Sequence, residues 1–233
     1  MKQTPLLRHL GIEFNPVSHT ERLLSMLGGF LVILLTLVIS RRYISAADAV
    51  LLIPSMGASA VLLFAVPHGA LGQPWNVFGG HLLSAVIGVA CARFIPDTTL
   101  AAAASVGLAI AAMHYLRCIH PPGGATALVA VIGGESIQAL GFQYVLTPVL
   151  VNVGVMLVVA VAFNYPFHWR RYPASLGEKS AVPLTPAGPY APIEHGDLVY
   201  ALSEIDSFID VTEEDLLKIY RLATRHSGRD GER

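Results

Sequence analysis

Charged residues are scarce in this sequence: they make up 13% of its 233 residues, whereas hydrophobic residues make up 54%. That share of charge is about half of what is usual in a soluble globular domain. The net charge is −1, so the chain has no excess of basic residues for nucleic acid to bind, and we expect no nucleic-acid partner. The composition predicts an all-α integral membrane protein surrounded by a lipid bilayer.

Cysteine is nearly absent, and carboxylates are missing from the interiors of the apolar runs. Cys91 and Cys118 have no metal-like spacing, so we expect packing residues and no disulfide scaffold. Asp48, Asp97 and Glu135 all fall at the ends of apolar runs. A carboxylate cation site, a metal site and a cofactor therefore have no support. The sequence shows no nucleophile–base pair, so we expect neither an enzyme nor a catalytic residue.

Six apolar runs organise the chain into domains. Residues 1–22 form a polar lead-in without a signal-peptide pattern, residues 23–171 a transmembrane domain, 172–193 a Pro-rich linker, and 194–233 an acidic tail that predicts a small soluble helical hairpin. Five runs are long enough to cross an apolar core of about 30 Å, and the fifth is too short alone. The runs are 23–40, 49–66, 77–95, 100–116, 125–132 and 144–163.

Two stretches interrupt the second and fifth runs. The first copy reads Pro54-Ser-Met-Gly-Ala-Ser-Ala60 and the second Pro121-Pro-Gly-Gly-Ala-Thr-Ala127, 67 residues apart. The shared pattern P-x-x-G-A-[ST]-A predicts two repeats of three segments, at about 23–95 and 100–163, the second inverted relative to the first. Inverted repeats with discontinuous helices are common in secondary transporters, whose sites lie near the bilayer midplane.

Each interruption predicts a helix start whose free N–H groups and positive dipole end suit an anion. We expect the two starts to face one another and to bind a small monovalent anion with hydroxyls and backbone amides. The alternative is that each break is only a kink for close packing. The predicted substrate-binding residues are Ser55, Gly57, Ala58, Ser59, His120, Gly123, Gly124, Ala125 and Thr126.

Polar residues elsewhere in the runs are candidates for the pathway of the anion. His120 has three open roles: donating to the anion, carrying a coupled proton, or bonding a carbonyl. Other polar residues have a structural alternative as packing, snorkelling or interhelical bonding groups. The pathway candidates are Asn76, His81, His114, Arg117 and Asn152.

Small residues recur at every fourth position of the third run, from Gly80 through Ser84 and Gly88 to Ala92. Such a stripe lets another helix approach closely in a membrane. Small-residue faces are also compatible with a homo-oligomer.

The stretch from His120 to Thr126 resembles the motif that names the HPP family of integral membrane proteins. The similarity extends to Gly57-Ala-Ser59, to Gln73-Pro-Trp-Asn76, to Gly79-Gly-His81 and to Asn164. It covers roughly residues 10–170. Some members are linked to nitrite transport, so the resemblance implies nitrite as the anion.

These observations together predict a membrane transporter or channel for a small monovalent anion. The alternative is a membrane sensor or scaffold that signals through the acidic tail. The distribution of lysine and arginine favours cytoplasmic termini, and we expect a multi-pass protein of the bacterial inner membrane.

Overall fold

A computed structural model describes residues 17–176 and residue 220. The helices belong to one compact unit, His19–Glu178, and no strand occurs in the described residues. Five helices, counting the last together with the turn before it, are long and apolar enough to cross a membrane. The helices are α1 (His19–Ser40), α2 (Ala46–Phe64), α3 (Pro74–Phe94), α4 (Thr98–Tyr115), α5 (Pro122–Ile132), α6 (Glu135–Leu140) and α7 (Val151–Asn164).

The helices follow the apolar runs closely. α1 begins at His19, four residues inside the predicted lead-in, with Glu21 in its first turn. The sixth run is not one regular helix: the segment Val145–Leu150 is kinked at Thr147, whose torsions (φ −132°, ψ 116°) are extended, just before Pro148, and α7 follows it. Residues 1–16 of the predicted lead-in lie outside the described residues. The predicted soluble tail at 194–233 also lies outside them, apart from residue 220.

The second apolar run is not broken, contrary to our prediction. α2 is one continuous helix with Pro54 inside it. Proline removes one backbone donor, but packed neighbours keep such a helix intact on both sides in a membrane bundle. Pro54 lies at the outer surface, whereas Leu52 and Met56 are fully buried. Gly57 therefore lies within a helix and begins none.

The fifth run is preceded by a true break. α4 ends at Tyr115 and α5 begins at Pro122, with a non-helical segment, 116–121, between them. Pro122 takes the first helical position, where a missing N–H costs nothing. The helix start thus comes three residues earlier than the predicted run at 125.

The small-residue stripe of α3 brings it against α5 and the break. A Cβ on Gly80 would lie 2.5 Å from the Cβ of His120, and a Cβ on Gly88 would lie 2.5 Å from the carbonyl oxygen of Ala127. Only glycine fits at these contacts. The close approach predicted from the stripe is confirmed at these two positions, whereas Ala92 is exposed.

A buried ion pair joins the beginning of α1 to the segment after α7. The Arg170 guanidinium, 1% exposed, pairs with Glu21. It also donates to the carbonyl of Phe64 at 2.7 Å and to the side-chain oxygen of Asn164 at 3.2 Å. This contact fixes the end of α2 as well, since Phe64 is its last residue.

The predicted linker begins later than residue 172. The Tyr172 side chain is fully buried and donates to the carbonyl of Gly72 at 2.9 Å. Burial raises the pKa of its hydroxyl, because the phenolate loses its solvation. Tyr172 therefore belongs to the helical unit.

We expect Glu21→Gln to lower the free energy of unfolding by about 3–5 kcal/mol, because Arg170 would stay buried without its counter-charge. Thermal unfolding of the purified protein in detergent measures the change. Glu135→Gln, an exposed carboxylate at the start of α6, is the matched control and should change little. Equal melting of the two variants would contradict the ion pair's role.

We expect Gly88→Ala to cost about 1–3 kcal/mol by overpacking the α3–α5 contact. Gly107→Ala on α4 is the control, because a Cβ there meets nothing within 4 Å. Alanine should stabilise that helix by up to about 1 kcal/mol. Opposite shifts in melting temperature are the expected result, and shifts of the same sign would be evidence against the packing.

Candidate functional site

Five polar side chains meet where α2, α3, α5 and the break come together. They are Ser55 and Ser59 on α2, His81 on α3, His120 in the break and Thr126 on α5, and every one is fully buried. We name these five residues the hydroxyl–imidazole cluster. Polar groups buried in an apolar bundle are costly unless they are paired, and this cluster pairs its members with one another.

The local sequence places each member. Ser55 and Ser59 are four residues apart and share one face of α2. Gly79 and Gly80 come just before His81 and leave room for the break, since a Cβ on Gly79 would lie 2.9 Å from the Cβ of Cys118. His120 is non-helical, as Pro121 after it predicts.

His81 is at the centre of the cluster. Its Nε2 lies 2.9 Å from the Ser59 hydroxyl, and its Nδ1 lies 2.7 Å from the Thr126 hydroxyl. Ser59 and Thr126 occupy the same position in the two copies of the repeated motif. The two copies therefore meet at the two nitrogens of one imidazole.

Further contacts extend the cluster on both sides. The Ser59 hydroxyl lies 2.8 Å from His120 Nε2, and the Ser55 hydroxyl lies 2.6 Å from that of Thr126. Ser55 Oγ also lies 2.8 Å from the carbonyl oxygen of Pro122. Ser55 and Pro122 are again equivalent positions of the two motif copies.

Two side chains of α3 and a backbone carbonyl of the turn before it (Ala70–Gly72) hold the break in place. His120 Nδ1 donates to the carbonyl of Leu71 at 2.8 Å. Asn76 donates to the carbonyl of Ile119 at 2.9 Å, and Trp75 donates to that of Leu116 at 3.2 Å. The carbonyl-bonding role, one of three that the sequence leaves open for His120, is thus present.

The backbone amides are arranged differently from the prediction. Gly57 and Ala58 are inside α2, where Gly57 is half-buried and Ala58 exposed. Their amides belong to helix-interior positions, so the prediction of paired helix starts is wrong for α2. α5 does begin beside the cluster.

The glycines at the start of α5 have separate roles. The amide of Gly123 donates to the carbonyl oxygen of His120 at 2.9 Å, and that of Gly124 donates to the carbonyl oxygen of Pro121 at 3.1 Å. A Cβ on Gly123 would lie 2.7 Å from the Ser84 hydroxyl, so this glycine allows α3 to approach. Gly124 and Ala125 are half-buried.

The pathway candidates separate into four groups. His81 belongs to the cluster, and Asn76 holds the break. Asn152 is buried on α7 and donates to the Ser40 hydroxyl at 2.7 Å, which is the interhelical role that the sequence left open. His114 and Arg117 are exposed at the end of α4.

His81, which we placed only on the pathway, is the central member of the cluster. Its position one residue after Gly80, on the face where small residues let α5 approach, was the available signal. The Arg170 ion pair was also missed, because arginine at the end of an apolar run usually marks the membrane margin.

The cluster offers hydroxyls and imidazoles, which both donate and accept hydrogen bonds. Among the described residues, no group of three or more histidine, cysteine, aspartate or glutamate side chains is arranged to hold a metal ion.

Comparison with known proteins gives one family. The family model "HPP, transmembrane region" matches residues 14–173. Two proteins of Dictyostelium discoideum, each named only as a transmembrane protein, are similar. One is 39% identical over 153 residues, 64% of this chain and 49% of its own length. The other is 38% identical over 154 residues, 61% of this chain and 54% of its own.

The chain thus spans about half the length of the curated relatives it matches. No solved structure matches it significantly.

We expect Thr126→Val to destabilise the protein by about 1–3 kcal/mol, because His81 Nδ1 and the Ser55 hydroxyl would each lose a buried partner. Thr126→Ser is the matched control, since it keeps the hydroxyl. Thermal unfolding in detergent measures both variants. If serine costs as much as valine, packing of the methyl group, and not the hydrogen bonds, determines the stability here.

Proposed function

Because the chain belongs to the HPP family of integral membrane proteins, we propose that it is a transporter or channel for a small monovalent anion. It is a multi-pass membrane protein with several apolar helices. The observation that carries the proposal is the hydroxyl–imidazole cluster, five fully buried polar side chains among apolar helices.

A purely structural role would not require such a cluster. Polar side chains at membrane depth are expensive and mark substrate or ion pathways in many membrane proteins. Apolar side chains could fill the same space where α2, α3 and α5 meet. The cluster instead combines three hydroxyls with two imidazoles, all of which can turn a proton toward a ligand.

The chemistry of the cluster favours an anion over a cation. None of the five members is a carboxylate, and their hydrogen bonds are to one another and to backbone carbonyls. α5 begins at Pro122, next to the cluster. A helix start contributes typically about 0.3–1 kcal/mol to a nearby anion, and up to about 2 kcal/mol when partly buried. Weak binding of this size suits a protein that must also release its substrate.

Nitrite is the substrate we propose within this class. It is small and monovalent, and its oxygens accept hydrogen bonds from hydroxyl and imidazole groups. In this proposal Ser55, Ser59, His120 and Thr126 donate to the anion, after exchanging their bonds to one another for bonds to it.

Nitrite flux into proteoliposomes tests the proposal. We expect His120→Ala and Thr126→Val to reduce the flux at least about tenfold, since a transition-state loss of 1.4 kcal/mol has that effect. Gly124→Leu places a bulky side chain at the start of α5 and should also reduce it. Ser105→Ala, which removes a buried hydroxyl that bonds within α4, should retain it.

The result that would overturn the proposed site is unchanged flux in His120→Ala, Thr126→Val and Gly124→Leu alike. Folding of each variant is checked by its melting temperature before reconstitution. Nitrate and chloride, tested in the same liposomes, define how far the selectivity extends among monovalent anions.

A further inference from the structure

The hydroxyl–imidazole cluster is a single chain of hydrogen bonds with a backbone carbonyl at each end. One end is the carbonyl oxygen of Leu71, and the other is that of Pro122. Between them the order is His120, Ser59, His81, Thr126 and Ser55, with neighbouring polar atoms 2.6 to 2.9 Å apart. Each member thus has one close partner on either side, and two longer contacts lie beside the series, from Ser59 Oγ to the carbonyl of Ser55 at 3.2 Å and from Thr126 Oγ1 to that of Pro122 at 3.5 Å.

In this series of hydrogen bonds, the number of labile protons does not match the number of contacts. Five side chains between two carbonyls make six contacts, and each hydrogen bond requires one proton. A neutral serine, threonine or histidine supplies one labile proton, and a carbonyl oxygen supplies none. The neutral cluster therefore has five protons for six contacts, so two lone pairs face each other at one of them.

One additional proton removes the mismatch. If His120 is the imidazolium, it donates to Leu71 and to Ser59, and every later member donates toward Pro122. If His81 is the imidazolium, it donates to Ser59 and to Thr126, and Ser59 donates to His120. All six contacts have a proton in both forms.

The two charged forms differ only at Ser59. From the first to the second, the bond between the proton and His120 Nε2 breaks as a new O–H bond forms on Ser59. The former hydroxyl proton of Ser59 moves at the same time to His81 Nε2. Every other proton keeps its donor and its acceptor.

We propose that His81 and His120 together bind a single proton, which the Ser59 hydroxyl passes between the two imidazoles. The pair is a proton-binding site built across α2, α3 and the break. Because both nitrogens of each ring are engaged, the proton moves along these hydrogen bonds only between the two rings, through Ser59.

A second proton on the pair is opposed by the geometry. The two ring centroids are 4.9 Å apart, and like charges at that distance in a buried site repel strongly. Ser59 would then accept twice, and its own proton would have only the longer contact of 3.2 Å to the carbonyl of Ser55. The pair therefore titrates as one group.

The other titratable groups near the pair are neutral at ordinary pH. Tyr144 donates to the carbonyl of Thr126 at 3.0 Å, Tyr172 bonds Gly72 next to Leu71, and Cys118 contacts Gly79. α5 and α7 contain no titratable side chain, and His114 and Tyr115 of α4 are exposed.

Charged side chains belong to the ends of the helices. α2 has Asp48 in its first turn, and the Arg170–Glu21 pair bonds its last residue. α3 has Arg93 in its last turn, twelve residues or about 18 Å along the axis from His81.

The bound proton gives the site a positive charge with which an anion can pair. An anion entering a buried, neutral cluster would bring an uncompensated charge into the bundle. With the imidazolium present, the anion and the proton form a neutral pair. This coupling rests on the proposed function and identifies it as proton-coupled anion transport.

The proton-binding site is tested first without any anion. The full protein, labelled with ¹⁵N-histidine in lipid nanodiscs, is titrated by NMR, and His81→Gln and His120→Gln identify the two rings. We expect both signals to move together through one midpoint, for one proton in total. In Ser59→Ala they should separate, whereas Ser59→Thr should restore the joint midpoint and Ser105→Ala should not disturb it.

Independent midpoints in the unaltered protein, or two signals that do not change with pH while the protein stays folded, would overturn the shared proton. The NMR result does not depend on transport, so it stands or fails separately from the proposed function.

The coupling is tested in proteoliposomes containing a pH-sensitive dye. An inward nitrite gradient should acidify the lumen with one proton per nitrite, and Ser59→Ala should reduce both movements together. Protein-free liposomes correct for nitrous acid, which crosses lipid unaided. Nitrite entry without proton entry would overturn the coupling and leave the proposed function standing. No nitrite entry would overturn the proposed function, and the coupling with it.

Discussion

Every polar group inside an apolar helix bundle must find its hydrogen-bond partner within the protein, because lipid supplies none. Breaking a helix there exposes several backbone groups at once. The segment 116–121 meets this requirement with side chains from the beginning of α3 and with an imidazole that bonds the carbonyl of Leu71. The same imidazole then connects the break to the serines of α2. This one interruption thus accounts for much of the polar chemistry of the fold.

Close packing is the second condition for this arrangement. His120 can reach Ser59 only because Gly80 leaves no side chain in its way. Gly123 has the same effect for α5, whose first turn lies against Ser84. Where lipid gives no hydrophobic drive, small residues let helix backbones come near enough for side chains to bond across them. The glycines of this chain therefore position the cluster without taking part in it.

The sequence predicted the helical segments well, because long apolar runs and proline positions are local signals. It also grouped Ser55, Ser59 and Thr126, which belong to the repeated motif, with the neighbouring His120, and the structure brings these four residues together. It misjudged Pro54, since a proline bends a helix or breaks it according to the packing around it, which no local pattern shows. Glu21 and Arg170 are 149 positions apart, and nothing in the sequence around either residue indicates the other.

The Arg170 contacts have a mechanical consequence for the bundle. They tie together the first turn of α1, the end of α2 and the segment after α7, whereas α3 and α5 lie on the other side of the cluster. Four of the six contacts of the hydroxyl–imidazole cluster join α2 to α3, to α5 or to the break. Any sliding of α2 against α3 and α5 must break those four bonds together, so the cluster also holds these helices in register.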